Sequence, residues 1–547
     1  MSHQLSTSPR QAAWLQVIDR HVDLFLVLGL LAAALVLFTA DLGGVPLRDW
    51  DEGTVAQVAR EISRSPLRRE TWLYPTLHGE PYFNKPPLMH WLVAIAFQFG
   101  GVNATMARLP GALLTALSVL LLYGIGRQLF PQRLTALMAA AVYLTMLLVV
   151  RHGRLAMLDG AILCFFLWTL WATLRSRRNP RWALGIGLGV GLMTLTKGIL
   201  GLLLGGIAFA FVAWDAPRLL ISVYGWSGIL LGALPALIWY AIQGLTYGTA
   251  FYAIHFLSQS FDRVWKAVED NRQPPWYYLL ELLKYGLPWL LFWPMGLRLA
   301  WGDRTLSWAK LVLVWGGGYF LAISLMGTKL PWYVLPIYPA LALVTGYELG
   351  RLWQTLPGAS ARLEPSRRYI VGLIIGLALL AILGWGGCLY FWGFATPREA
   401  DLALALAALG LTMAVAAWLL RRRDRQFIPI LLWGFYVTLL LFVTSDNWVW
   451  ELNEDYPVEP VAAMVQAQTP LNKRLLTSHP IRRPSLEFYS DREILPANRR
   501  QLRRRWRRQA DPYFLLDQST AQALKLPQAE VLGETAGWVL VTKRSQE

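Results

Sequence analysis

The 547-residue chain is 55% hydrophobic and only 16% charged, and its apolar residues fall in blocks of about 20, which excludes an ordinary soluble enzyme and describes a chain that crosses a membrane repeatedly. The net charge of +17 belongs to loop lysines and arginines, so it reports membrane orientation and argues against a nucleic-acid partner. The two cysteines, Cys164 and Cys388, both lie inside apolar runs, which excludes a disulfide framework and a cysteine metal site.

The first apolar run, Val22 to Ala40, is long for a signal-peptide core and has no small-residue cleavage site, so it reads as a retained helix. Further runs follow at 87–99, 108–129, 133–150, 160–174, 181–196, 199–214, 219–242, 277–301, 306–326, 332–352, 369–392, 400–420 and 427–444. The run at 87–99 is too short to cross a hydrocarbon core of ~30 Å. Its bulky residues Leu88, Trp91, Leu92, Ile95 and Phe99 share one helical face, which predicts a helix lying in the interface. The rest amount to about 13 spans by length.

With that count, the basic clusters Arg127 to Arg133, Arg175 to Arg181, Arg362 to Arg368 and Arg421 to Arg425 fall on one side, expected to be cytoplasmic. The loops carrying Asp51, Asp159, residues 243–276 and Lys329 then face outward, as does everything after about Ser445. The expected organisation is a transmembrane domain over 1–444, with a first outer loop at 41–107, and a small extracytoplasmic α/β domain over 445–547. In that tail, parts of "RLLTSHPIRRPSLEFYSDREI" and "GWVLVTKR" alternate like strands, with helix-like stretches between them. One of these, "RRQLRRRWRRQ", is either a solvated helix face or a contact for anionic headgroups.

The first outer loop holds "WDEGTVAQVAREI". Val55, Val58, Ala59 and Ile62 follow helical spacing, while Arg60, Glu61 and Arg64 lie off that face, predicting a short amphipathic helix. Asp49 or Asp51 would cap it, unless Asp51 has chemistry to do. Further along come Lys85 in "NKPPL", Arg151, Arg154 and Asp159 in "RHGRLAMLD", Lys197 in "LTKG", and Lys329 and Tyr333 in "TKLPWYVLPIYPA". Individually, each lysine could snorkel and Asp159 could pair with a nearby arginine. Together they place carboxylates and cations on one membrane face, where charge is costly without a partner or substrate. A carboxylate can take the proton of an incoming hydroxyl, and fixed cations such as Lys85, Lys197, Lys329 and Arg154 can stabilise charge on a departing phosphate.

The ordered set "DE", "NKPPL", "RLAMLD", "LTKG" and "TKLPWYVLPIYPAL" resembles the GT-C glycosyltransferases of the protein O-mannosyltransferase and ArnT (aminoarabinose transferase) type, over roughly residues 20–350. The resemblance implies a polyprenyl-phosphate (undecaprenyl) sugar donor, and a lipid, glycan or protein acceptor; ArnT itself modifies lipid A. It implies chemistry on the periplasmic face of a bacterial inner membrane. It gives Asp51 as catalytic base, Asp159 as the second acidic position and Lys85 as a donor-phosphate contact, with Arg263 and Tyr333 as further phosphate contacts. Glu52 either supports Asp51 electrostatically or faces solvent. Asn84 stands where ArnT has a metal-holding glutamate, and Gln259, not His255, falls at its metal histidine, so no cofactor is required and a bound divalent metal loses support. Thr54 replaces an ArnT arginine, which leaves the donor and acceptor open. The competing classes are a flippase for lipid-linked sugars, for which no internal repeat is visible, and a lipid-phosphate phosphatase, for which the seven histidines are too dispersed.

Overall fold

A computed structural model describes residues 9–64, 69–266, 271–356, 365–450, 456–471 and 473–544, with side chains described from residue 21 onward except at 69. The cluster beginning at Arg362 therefore lies partly outside the described residues. The chain forms two compact units. One comprises residues 1–40, 111–154 and 158–448; the other comprises 41–110, 155–157 and 449–547.

The first unit is a helical bundle. Six of the described helices are long and apolar enough to cross a membrane: His21–Thr39, Ala104–Leu129, Val223–Tyr247, Ser307–Leu325, Arg367–Gly393 and Ala400–Arg421. A seventh arises if Arg133–Leu144 and Leu147–Arg154, bent by 60° at their junction, count as one broken span. This is fewer than the thirteen expected, because some apolar runs are broken and others, such as Ile199–Asp215 and Phe427–Val443, form single helices of 17 residues. The run at 277–301 divides into Tyr277–Tyr285, a 3-10 turn at Trp289–Leu291 and Trp293–Gly302, with Pro288 and Pro294 at the breaks. The run at 332–352 opens as a 3-10 turn, Pro331–Ile337, before the helix Tyr338–Thr355. Leucines 230, 237 and 245 on Val223–Tyr247, and Ile382 and Leu383 on Arg367–Gly393, are exposed, an apolar surface that suits lipid.

Val223–Tyr247 joins the bundle through glycine. A Cβ at Gly187 or Gly191 of Leu184–Lys197 would lie 1.8 Å from the carbonyl oxygen of Gly228 or Gly232 respectively, so the two backbones touch. Three basic clusters gather at one end of the bundle. Asp23 accepts from Arg127 (3.2 Å) and Arg133 (3.0 Å), Arg177 pairs with Asp215 (2.8 Å), and Arg425 lies over Trp353 (4.8 Å), one residue before Gln354, which donates to Gln132.

The second unit contains a five-stranded sheet of order β4-β3-β5-β7-β6, with β3 Leu475–Thr477, β4 Ile494–Pro496, β5 Tyr513–Asp517, β6 Ala529–Thr535 and β7 Trp538–Lys543. β3, β4 and β5 are parallel, and β7 runs antiparallel to β5 and β6. Alternation sends Leu515, Trp538 and Leu540 into one core with the helix Val458–Gln468, and Phe514, Leu516, Val539 and Val541 into another with Leu502 and Trp506. In the arginine-rich helix Arg499–Arg508 only Leu502 and Trp506 are buried, and its arginines are exposed.

The first outer loop belongs to this same unit. It contributes a two-stranded hairpin, β1 Thr76–Leu77 and β2 Glu80–Pro81, and two helices, Glu52–Ser63 and Leu88–Gly100. Leu88–Gly100 buries Met89, His90, Val93, Ala94 and Phe97, whereas Ile95 and Phe99 of its bulky face are exposed.

Candidate active site

Asp51 sits at the N-terminal boundary of Glu52–Ser63, half-buried, and its side chain makes no capping hydrogen bond there. The capping explanation therefore does not account for its carboxylate. Glu52, the next residue, is 0% exposed, which removes the solvent-facing alternative. Its oxygens accept from Arg108 Nε and Nη2 (both 2.8 Å), from Ala156 N–H (2.8 Å) and from Arg48 N–H (3.2 Å). Arg108 also donates to the carbonyls of Leu42 and Val45 (both 2.6 Å) and of Pro46 (3.1 Å). This bidentate pair therefore ties three chain segments of the unit to the helix that begins beside Asp51.

The expected solvent face of Glu52–Ser63 is covered as well. Ten of its twelve residues are buried. Arg60 donates to the carbonyls of Glu487 (3.3 Å) and Phe488 and pairs with Asp491 (2.7 Å). Asp49 pairs with Arg483 and accepts from Ser485 N–H (2.8 Å). Glu61 holds the hairpin tip, accepting from Thr76 Oγ1 (2.6 Å), His78 N–H (2.7 Å) and Gly79 N–H (3.2 Å). The carboxy-terminal domain thus fixes the Asp51 loop, which helical spacing within the loop could not reveal.

Lys85 lies half-buried just before Leu88–Gly100. Nearby His90 packs edge-on against Tyr82 (ring centroids 5.3 Å), and burial, with a contribution from the Lys85 charge, holds its pKa at about 4. Asn84 offers a neutral amide in place of a carboxylate, a weaker partner for a divalent metal.

The remaining candidates lie in the bundle. Asp159 opens the helix Asp159–Ser176 and pairs with Lys197 Nζ at 2.8 Å, not with an arginine. Lys197 closes Leu184–Lys197, and Gly198 reverses the chain with φ +58° and ψ −121°, a conformation that favours glycine. The Lys197 ammonium lies 6.0 Å from the Tyr333 ring centroid, and Arg263 Nη1 donates to Tyr333 Oη at 3.3 Å. Arg263 Nε is buried with no hydrogen-bond partner among the described residues. Backbone hydrogen bonds from Gly327 N–H to Val264 O (2.7 Å) and from Thr328 N–H to Arg263 O (3.0 Å) hold the Arg263 and Tyr333 segments together. The structure thus unites Asp159, Lys197, Tyr333 and Arg263, with one buried guanidinium N–H unpartnered among the described residues.

Two other candidates are engaged elsewhere. Lys329 donates to the Met326 carbonyl, and burial lowers its pKa from the ordinary lysine value. Arg154, fully buried, donates to the carbonyls of Leu37 (2.9 Å) and Val443 (3.1 Å) and lies over Trp448 (4.6 Å). Its guanidinium joins helix ends in the bundle. His255 Nε2 is 3.0 Å from Tyr240 Oη, and the imidazole stacks on Phe251 (5.1 Å). Sequence reading did not single out Arg108; the signal was a charge at the first position of an apolar run, a costly place without a partner.

A family model described as dolichyl-phosphate-mannose-protein mannosyltransferase matches residues 84–240. The chain is 28% identical over 465 residues to an undecaprenyl phosphate-α-4-amino-4-deoxy-L-arabinose arabinosyl transferase of Pseudomonas fluorescens, covering 80% of each chain. It is 30% identical to the corresponding enzyme of Erwinia tasmaniensis, covering 60% of each. Its fold matches the crystal structure of ArnT from Cupriavidus metallidurans bound to undecaprenyl phosphate, with a TM-score of 0.77 and 20% identity, over 95% of this chain and 99% of that one. The fold and its apolar helices define an integral-membrane protein of GT-C architecture. The chain is a membrane glycosyltransferase, similar to enzymes of the ArnT and protein O-mannosyltransferase type.

Proposed function

We propose that this enzyme transfers a sugar from a polyprenyl-phosphate donor, undecaprenyl phosphate in its closest chemistry to the named relatives, to a hydroxyl acceptor on the extracytoplasmic face of a bacterial inner membrane. The observation that carries the reading is the cluster of Lys197, Tyr333 and Arg263 beside Asp159, with Arg263 Nε left without a hydrogen-bond partner among the described residues. A phosphate oxygen is an acceptor for such an N–H, and a buried guanidinium is suited to it. Asp159 holds the Lys197 ammonium in place. Lys85 is the corresponding cation of the outer loop.

Asp51 accepts the proton of the acceptor hydroxyl. The oxygen attacks the anomeric carbon, the bond from that carbon to the phosphate oxygen breaks, and the electron pair leaves with polyprenyl phosphate. A single displacement inverts the anomeric centre. Arg263, Lys197, Tyr333 and Lys85 stabilise the charge growing on the leaving group. The acceptor is a lipid, glycan or protein bearing a hydroxyl. No step runs through a metal.

Purified enzyme given a polyprenyl-phosphate sugar should release polyprenyl phosphate, faster with acceptor, as read by mass spectrometry. Asp51→Asn should lower the acceptor-dependent rate by about 10²–10⁴-fold, the usual contribution of a general base. Unchanged turnover in that variant would overturn the assignment.

A further inference from the structure

The bundle carries a cavity with several charged lining residues, at the other end of Asp159–Ser176 from Asp159. Arg175 is in the last turn of that helix, about 24 Å along it from Asp159 at 1.5 Å per residue. The cavity measures about 470 Å³. Arg127, Arg175 and Arg178 line it together with one carboxylate, Asp23. That carboxylate is already engaged: it accepts from Tyr123 Oη (2.6 Å), Arg127 Nε (3.2 Å) and Arg133 Nε (3.0 Å). Arg175 and Arg178 have no carboxylate partner among the described residues. Arg175 instead lies against a pair of indoles packed edge-on to each other (4.9 Å), 5.5 Å from the Trp171 centroid and 5.0 Å from that of Trp182. Trp171 reaches the cavity because residue 124 is glycine; a Cβ there would stand 2.7 Å from its Nε1. Val27 and Leu121 supply an apolar wall.

We propose that this cavity binds the phosphate headgroup of an anionic phospholipid from the leaflet on the arginine side. The lining has three guanidiniums and one carboxylate, a surplus of positive charge at a membrane edge. Guanidinium groups match phosphate oxygens in pairs, and tryptophans anchor at headgroup depth. An acyl chain continues along the Val27 and Leu121 wall. Arginines that served only to orient the chain would need neither a packed indole pair nor a cavity.

The full-length protein, stripped of lipid in neutral detergent, should be titrated with phosphatidylglycerol or phosphatidylcholine and read by native mass spectrometry. The wild type should retain one phosphatidylglycerol in clear preference to phosphatidylcholine. Arg178→Gln, at an exposed position, should weaken that binding about fivefold, and Arg175→Gln with Arg178→Gln about twentyfold. Inorganic phosphate should fail to displace the lipid, which separates a lipid site from a free-phosphate site. Equal binding of the two lipids, displacement by inorganic phosphate, or an unchanged preference in Arg178→Gln would each overturn the proposal. None of these readouts involves sugar transfer, so they stand apart from the test of Asp51.

Discussion

Asp51 and Glu52 are neighbours in the chain with different surroundings. Asp51 is half-buried and makes no cap, whereas Glu52 is enclosed by Arg108 and two backbone N–H groups. Both were legible as acids at a membrane edge, and the resemblance gave Asp51 its proposed role, but the role of Glu52 needed Arg108, which lies 56 residues away. Glu52→Gln should leave the buried Arg108 charge uncompensated and lower stability by about 3–5 kcal/mol, the usual penalty for breaking a buried ion pair from one side. Thermal unfolding of the purified protein checks this; an unchanged midpoint would show that the pair contributes little. Arg263, Tyr333 and Lys197 were each visible by motif, yet their meeting was not, because a 3-10 turn and a glycine reversal position them.

At the scale of elements, most helices follow apolar runs closely, since hydrophobic length is read directly from sequence. The missed features are breaks and seams. Pro288 and Pro294 split a run that composition alone joins, and Pro336 lies in the 3-10 turn that opens the run at 332–352. The glycine seam between Leu184–Lys197 and Val223–Tyr247 allows backbone contact, so Gly191→Leu should overpack it and lower stability by about 1–3 kcal/mol or more. A melting curve that matches the wild type would refute the seam. In the carboxy-terminal domain, strand alternation was legible and helix caps were not. There Asp517 caps the helix Gln518–Leu524: although burial opposes its charge, hydrogen bonds from Ser519, Thr520 and Ser478 hold its carboxyl below the usual carboxylate range. A depressed carboxylate pKa contributes stability above the unfolded value near 4, and this is lost as pH falls toward the folded value. Asp517→Asn should therefore show a flatter loss of stability on acidification than wild type, measured by unfolding at pH 7 and pH 3. Parallel curves would assign the acid sensitivity elsewhere.

At the scale of the molecule, the expected boundary near residue 445 follows the sequence, but the compact units divide differently. Residues 41–110 share a unit with 449–547, through Asp49–Arg483, Arg60–Asp491 and the pairing of His78 with Glu487. The partners are hundreds of residues apart, and no local pattern could join them. Truncation after Trp448 should leave a membrane-inserted chain whose first loop has lost its supports. Limited proteolysis should then cut within 41–110, where the intact protein resists, and transfer activity should be absent. Full activity in the truncated chain would mean that the carboxy-terminal domain does not hold the loop.

The same interleaving sets a clock. The loop bearing Asp51 leaves the ribosome roughly 340 residues before the segment that completes its unit begins to appear. At about 5–20 residues per second, that interval is roughly 20–70 s. During it the nascent chain threads its helices into the bilayer while its proposed base remains unsupported. On the proposed mechanism, a copy that stalls before residues 449–547 emerge lacks the support of its base, and catalysis begins only once that segment has folded onto the loop.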